Sequence, residues 1–190
     1  MTGRTTIPAL DADITEQALS PTIGALDAPG GLLTVLTSTA ESCGACLLLE
    51  IRLSAGAAGT RPAHYHPRQT ERFEVLDGQL HLHVGTDHRV LGADDTAFVP
   101  ARTSHCFYTT DSPATLRVEL RPAGTFEQGL RLASATGKAM YRNPLLIALV
   151  MQQTETCFPG VPLTAQRAIV TPLAALARRV YGRRLAHYSV

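Results

Sequence analysis

Residues 59–78 read GTRPAHYHPRQTERFEVLDG and carry the clearest structural signal in the chain. Side chains two positions apart in a β-strand point to the same face, so His64 and His66 can aim at one point. After a turn, Glu71 begins a second strand and shares a face with Phe73. A buried carboxylate among apolar side chains is costly unless it is paired, so we expect the imidazoles and a bound metal ion to accompany it.

A third imidazole follows within residues 92–105, which read GADDTAFVPARTSH. By the same alternation, His105 and Phe107 share a strand face. Three histidines and one glutamate suit a divalent first-row transition metal. On a six-coordinate ion they leave two positions for water, substrate or dioxygen, whereas a structural zinc site is closed. The predicted metal ligands are His64, His66, Glu71 and His105.

The surrounding pattern is typical of an all-β domain, because short apolar runs alternate with turns rich in Gly, Pro and Asp. The runs cover residues 32–38, 45–54, 71–77, 79–85, 96–99, 104–109 and 115–121. Asp77 and Gly78 lie between two of them and predict a hairpin. A further hairpin turn is predicted from Gly85 to His88.

Some histidines and cysteines of the β region receive a structural interpretation. His81 and His83 alternate with apolar residues, so they face outward or toward a partner subunit if the apolar side chains face the core. Cys43 and Cys46 form a C-x-x-C pair, which could be a redox pair or half of a zinc site. No βαβ pattern surrounds the pair, and the second half of a zinc site is missing. We interpret the two cysteines as ordinary residues at the start of a strand.

The C-terminal third is helical in pattern. Asn143 and Pro144 form a helix N-cap and first-turn pair, which predicts a helix up to Gln153. A later helix begins near Thr164, and Pro172 restarts or kinks it. We therefore expect an N-terminal arm over residues 1–30, a β-barrel over 31–122 and a helical extension, packed on the barrel, over 123–190.

The two histidine-bearing stretches resemble the two sequence motifs of the cupin family. The first motif is matched, with a first gap one residue shorter, by Gly59, His64, His66, Glu71 and Gly78. The second motif is matched, with a longer first gap, by Gly92, Pro100 and His105. Arg102 stands where the family has glycine and Thr109 where it has asparagine, and neither departure removes a ligand. The resemblance covers about residues 45–121.

This resemblance implies a mainly β fold: a single cupin barrel, also called a double-stranded β-helix or jelly roll, with the α-helical extension after it. It also implies a small organic substrate, aromatic or polyketide-like. Similarity to small quercetinase-like cupins makes a dioxygenase of secondary metabolism the leading interpretation. A cyclase or isomerase based on Lewis-acid activation, or a non-catalytic ligand-binding cupin, is the alternative. Fe(II) is the expected ion, and Mn(II), Ni(II) and Zn(II) are the other candidates.

Several residues receive roles on the same basis. Glu71 is the candidate catalytic residue, because after leaving the metal it could act as a general base if its pKa were tuned toward neutrality. The candidate substrate-binding residues are Tyr65, Phe73, Arg102 and Phe107. The family resemblance, together with the sheet edges that such barrels expose, predicts a homodimer.

Composition narrows the possible partners. The chain has 190 residues and a formal net charge of +1, which argues against nucleic-acid binding. No apolar run is long enough to span a membrane, and the first twenty residues lack the apolar segment of a signal peptide. We therefore expect a cytoplasmic protein that binds neither nucleic acid nor membranes and keeps its cysteines reduced.

Overall fold

The computed structural model describes residues 22–23, 31–60 and 62–185. Among the described residues, the strands precede the helices. The strands are β1 Thr22–Ile23, β2 Gly31–Thr37, β3 Leu47–Leu53, β4 Thr70–Gly78, β5 Leu80–Val84, β6 Asp87–Leu91, β7 Thr96–Val99, β8 His105–Tyr108 and β9 Ala114–Arg121. The helices are α1 Phe126–Thr136, a 3-10 helix Gly137–Arg142, α2 Pro144–Gln153 and α3 Leu163–Leu185.

The described strands form two antiparallel sheets around one apolar core. The larger sheet has the order β1-β2-β3-β9-β4-β7, and the smaller has the order β6-β5-β8. Alternate residues are buried, as in Leu47 and Leu49 of β3 and Leu80 and Leu82 of β5. Both sheets therefore turn one apolar face inward, as two packed β-layers require. The predicted mainly β, jelly-roll fold with C-terminal helices is confirmed.

The helices build a second, smaller core. Leu132 of α1, Leu146 of α2 and Ala174 of α3 are each buried within it. Phe126, the first residue of α1, belongs instead to the core between the sheets. The α1 helix therefore joins the two apolar cores. As predicted, Asn143 caps α2, and its side-chain oxygen accepts hydrogen bonds from the first backbone N–H groups of the helix.

The hairpin predicted at Asp77 and Gly78 is wrong. β4 and β5 belong to different sheets, and Gly78 pairs with Ala114 of β9. Gly78 has a φ of +80°, and a Cβ atom there would lie 2.0 Å from the Pro113 carbonyl oxygen. The glycine is needed because the chain crosses between the sheets close to a neighbouring backbone. That requirement leaves the same sequence signature as a hairpin turn.

The hairpin turn predicted from Gly85 to His88 is shorter than expected. Only Gly85 and Thr86 form the turn, and β6 begins at Asp87 and pairs with β5. Residues 87–90 are all exposed, so β6 lacks the buried alternate positions that reveal a strand in a sequence. The α3 helix runs continuously through Pro172, without the restart that the sequence allowed.

Most of the predicted N-terminal arm lies outside the residues that the structure describes. The described part of the arm is β1, which pairs with β2. All four cysteines are described, and they are free thiols: Cys43, Cys46, Cys106 and Cys157. Among the described residues, none of the helices combines the length and the apolar character needed to cross a lipid bilayer.

Candidate metal centre

Three histidines from distant parts of the chain meet in the interior. The N–H of His64 donates to the His105 carbonyl at 3.0 Å, and the N–H of His105 donates back to His64 at 2.8 Å. His66 lies two residues after His64, and the three ring centroids are 4.6 to 5.5 Å apart. One ring nitrogen of each lies within 4.8 Å of the others. The structure therefore places three buried imidazoles around a common point.

Backbone carbonyl groups orient all three rings. The Nδ1 atom of each imidazole faces a carbonyl oxygen, at 3.4 Å for His64 and His66 and at 3.0 Å for His105. The carbonyl groups belong, in that order, to Pro62, Glu155 and Thr103. A proton on Nδ1 satisfies each carbonyl and leaves the Nε2 lone pair for a metal ion.

Glu71 completes the group from the neighbouring strand β4. Its side chain is 7% exposed, so the carboxylate is almost fully removed from solvent. Oε2 lies 3.0 Å from Nε2 of His105, and Oε1 lies 3.4 Å from Nε2 of His66. The carboxylate thus faces the same ring nitrogens that the backbone carbonyl groups leave available.

Burial and mutual charge interactions change the acid–base properties of these side chains. Burial, reinforced by His105 and His66, lowers the pKa of His64 to about 4. Burial alone would raise the pKa of Glu71, but the adjacent His105 and His66 outweigh it and hold that pKa well below its usual range. Burial alone would lower the pKa of His105, but Glu71 raises it instead. Glu71 is therefore an ionised carboxylate near neutral pH.

The arrangement fits a metal ion. Within the described part of the chain, Nε2 of His66 and of His105 are buried without a hydrogen bond of acceptable geometry. When the protons are on Nδ1, each of these Nε2 lone pairs faces a carboxylate oxygen of Glu71. The two acceptors repel each other unless a second proton on the imidazole or a metal ion lies between them. A cation between them would satisfy both, and imidazole with carboxylate is a donor set that divalent first-row ions accept. The buried histidine group can therefore hold a metal ion.

An apolar cavity of about 100 Å³ opens beside this group. Among the residues that line it, only Thr60, His64 and Glu71 have polar side chains. The apolar wall consists of Leu32, Leu33, Leu49, Ile51, Leu53, Phe107, Val118, Leu120, Phe126 and Leu130. A ligand in this cavity meets polar groups on the metal side only.

The candidate substrate-binding residues are spread over several places. Phe107 lines the cavity. Phe73 is fully buried and packs edge-on against Phe107 with ring centroids 5.5 Å apart, so it supports the wall from behind. Tyr65 pairs through its backbone with Cys157. Arg102 has a φ of +65°, and its Nε atom donates to the carbonyl oxygen of Pro67 at 3.4 Å. Neither Tyr65 nor Arg102 lines the cavity.

The loop between α2 and α3 supports the centre in a way that the sequence did not reveal. The Glu155 carbonyl that faces His66 belongs to this loop, and Glu155 has a φ of +50°. The Glu155 side chain accepts a hydrogen bond from Nε of Arg68 at 2.9 Å. Only a backbone atom of Glu155 reaches the histidine, so no residue type at position 155 could have signalled this contact.

A comparison with known protein families found one match. Residues 50–119 match the family described as the cupin domain. No curated protein matches the chain. Similar solved structures include KdgF from Halomonas sp., which is 20% identical, with 50% of this chain and 80% of that chain covered and a TM-score of 0.44.

Two further structures have comparable similarity. One is an RmlC-like cupin from Shewanella frigidimarina, 26% identical, with 50% of this chain and 78% of that chain covered and a TM-score of 0.43. The other is a sugar phosphate isomerase of the cupin superfamily, from Silicibacter pomeroyi. It is 25% identical, with 56% of this chain and 68% of that chain covered and a TM-score of 0.45.

Proposed function

Since residues 50–119 match the cupin domain, we propose that this protein is a metal-dependent enzyme that acts on a small organic molecule, and that it is a dioxygenase. The observation that carries the proposal is the group of three buried imidazoles, with Glu71 beside them, at one wall of an otherwise apolar cavity. A metal site that opens into an apolar cavity is the usual setting for binding a small organic ligand.

The proposed ligands are Nε2 of the three histidines and the carboxylate of Glu71. Fe(II) is the ion that we propose, with Mn(II), Ni(II) and Zn(II) as alternatives that the same donor atoms accept. When bound, a redox-active ion supplies an open position for dioxygen next to the substrate and permits electron transfer between them. Both oxygen atoms then enter the product, so the reaction needs no reductant apart from the substrate.

The cavity wall determines which molecules can react. Apolar side chains exclude water and bind the carbon skeleton, and the few polar groups turn the reacting oxygen of the substrate toward His64 and Glu71. The volume of about 100 Å³ is smaller than the roughly 150 Å³ cavity that accommodates benzene in an engineered protein. The substrate is therefore at most about one ring in size, or it inserts only its reacting end.

Glu71 is also the proposed proton acceptor. Its pKa is held low by the two adjacent imidazoles, which is opposite to the tuning toward neutrality expected of a general base. With the ion bound to Nε2 of His105, the proton-accepting role would require the Glu71 carboxylate to leave the ion when a substrate hydroxyl group approaches. The oxygen atom that becomes available, Oε2, then accepts the hydroxyl proton.

The scarcity of polar groups in the cavity favours an oxygenase over a cyclase or isomerase. Moving a proton between two substrate positions needs an acid and a base, but His64 and Glu71 of the described lining are the proposed metal ligands, which leaves only the hydroxyl group of Thr60. A dioxygenase needs fewer such groups, because dioxygen supplies the reactive atoms. A ligand-binding cupin without activity would use the same cavity but would not consume the ligand.

We also propose that the protein is cytoplasmic and forms a homodimer. Each subunit would consist of the N-terminal arm over residues 1–30, the barrel over 31–122 and the helical extension over 123–190. The family resemblance supports dimerisation, and so does the exposed strand β6 at the edge of the smaller sheet. Sedimentation velocity over a tenfold range of protein concentration tests this part.

The test compares the metal-loaded protein in air and under argon. The protein is stripped of metal and loaded with Fe(II), Mn(II), Ni(II) or Zn(II). It is then mixed with phenolic compounds that range from one ring to several. Equimolar loss of dioxygen and substrate with Fe(II), strongest for one-ring compounds, is the expected result. Equal turnover under argon would establish the cyclase or isomerase, and full metal occupancy without turnover would establish the binding protein.

A further inference from the structure

The outer face of the smaller sheet carries a second cluster of histidines. His83 lies directly opposite His88 in the pairing of β5 with β6, and His81 lies directly opposite Tyr108 in the pairing of β5 with β8. Directly opposed residues of antiparallel strands share a face of the sheet. The structure therefore gathers these side chains on one side of the sheet, and His88 is exposed there.

The imidazoles of this cluster are in direct contact. Nδ1 of His81 lies 3.1 Å from Nε2 of His88. The rings of His83 and His88 are stacked with centroids 4.4 Å apart, and those of His81 and His88 are stacked at 5.3 Å. His88 is thus the central member, with a histidine on each side along β5.

We propose that this cluster is a second binding site for a divalent transition metal ion that prefers imidazole, such as Zn(II), Ni(II) or Cu(II). Two nitrogen atoms bound to one ion at about 2.0–2.1 Å are about 2.9–3.4 Å apart, depending on coordination geometry. The 3.1 Å between His81 Nδ1 and His88 Nε2 lies within that range. The ion takes the place of the proton between the two nitrogens, and His88 stays a neutral imidazole because its ring proton moves, through solvent, from Nε2 to Nδ1.

Neighbouring hydroxyl groups hold the rings in suitable tautomers. Thr110 Oγ1 lies 3.2 Å from Nε2 of His81. If Nε2 of His81 donates its proton to Thr110, the Nδ1 lone pair of His81 faces His88. Metal-bound histidines are commonly oriented in this way, by a hydrogen bond from the ring N–H that does not face the metal. His83 is the third ligand after rotation of its ring, and its Nε2 now lies 3.5 Å from the hydroxyl of Tyr108.

The outer site is separate from the interior one. Strand β8 presents His105 to the interior centre, whereas Tyr108 belongs to the outer face beside His81. The outer cluster contains no carboxylate, so it should prefer ions that favour nitrogen and bind Mn(II) poorly. This second site does not depend on the enzymatic proposal.

The test is isothermal titration of metal-free protein with Zn(II). The variants are His88→Ala and His81→Ala, and the matched control is Arg89→Ala, an exposed side chain of the same strand β6. Each histidine variant should bind one equivalent less than wild type, or bind it more weakly by at least the roughly 10–100-fold that follows loss of an outer partner of a ligand. The Arg89→Ala control should match wild type. Retention of the fold by each variant is verified by circular dichroism.

The titration tests the outer site whether or not the interior centre binds Zn(II). If the interior centre binds Zn(II), the stoichiometry falls from two to one in the histidine variants. If it does not, the stoichiometry falls from one to zero. Unchanged stoichiometry and affinity in both histidine variants would overturn the proposal. Loss of the equivalent in only one of them would overturn the assignment of His81 and His88 as a pair.

Discussion

The substitution His105→Ala should have two effects. It should remove the contact of His105 with Glu71 in the metal-free protein, and it should reduce the rise in Tm that a bound metal ion causes. In the metal-free state, Nε2 of His105 lies 3.0 Å from the carboxylate of Glu71, and both side chains are buried. Removing one partner of a buried ionic pair costs about 3–5 kcal/mol, because the other is left without compensation. For a chain of this size each kcal/mol shifts Tm by about 2–4 °C, so Tm should fall by about 6–20 °C.

The substitution His105→Ala should also abolish most of the stabilisation by a bound metal ion. Mn(II) at about one hundred times its Kd should stabilise the wild-type protein by about 2.7 kcal/mol, or about 5–11 °C in Tm. His105→Ala should gain less than about 2 °C at the same concentration, since it lacks one of the three imidazoles. Mn(II) is chosen because the outer histidine cluster has no carboxylate and should bind it weakly.

Differential scanning calorimetry measures both effects on six samples: wild type, His105→Ala and Arg89→Ala, each with EDTA and with Mn(II). Arg89→Ala is the control, because an exposed side chain should change the free energy of unfolding by less than about 0.5 kcal/mol and leave the Mn(II) response intact. A His105→Ala protein that is stabilised by Mn(II) as much as wild type would refute the ligand assignment. An unchanged Tm in EDTA would refute the energetic role given to the His105–Glu71 pair.

Four further substitutions test a close backbone contact, a helix cap and the cavity wall. In Gly59→Ala the new Cβ would lie 2.0 Å from the Phe107 carbonyl oxygen at a φ of +58°, whereas in Gly85→Ala, at +60°, it meets nothing within 4 Å. Chemical denaturation should therefore show a loss of about 1–2 kcal/mol for Gly85→Ala and a clearly larger loss for Gly59→Ala; equal losses would contradict the close contact. Asn143→Ala removes the N-cap of α2 and should cost about 1 kcal/mol, measured in the same way, and no loss would contradict the capping role. Val118→Phe fills part of the cavity, and it should raise KM for any substrate found while the metal content, measured by mass spectrometry, stays unchanged; an unchanged KM would show that substrate binds elsewhere.

Side-chain alternation explains why much of the fold and the centre could be predicted from the sequence. His64 and His66 are two residues apart, and both turn inward with Glu71 and His105. The apolar runs likewise matched strands such as β3 and β9, because one buried face imposes a period of two. The identity of the four ligands stays a prediction, although the structure places all four side chains at one point.

The remaining features depend on tertiary contacts that leave no local signature. Gly78 has the sequence signature of a hairpin, but the pairing partner of each strand is set by the whole sheet. Strand β6 has no buried face over residues 87–90, so hydrophobic periodicity could not reveal it. The Glu155 carbonyl reaches His66 across 89 positions of sequence through a backbone atom, which any residue type could supply.

The most direct measurement is the anomalous difference density of a crystal grown with Zn(II). If the four residues are the metal ligands, a peak should appear in the interior about 2.0–2.1 Å from Nε2 of His64, His66 and His105, with a carboxylate oxygen of Glu71 also bound. Density that lies only elsewhere, with the three interior imidazoles occupied by no ion at saturating Zn(II), would contradict it.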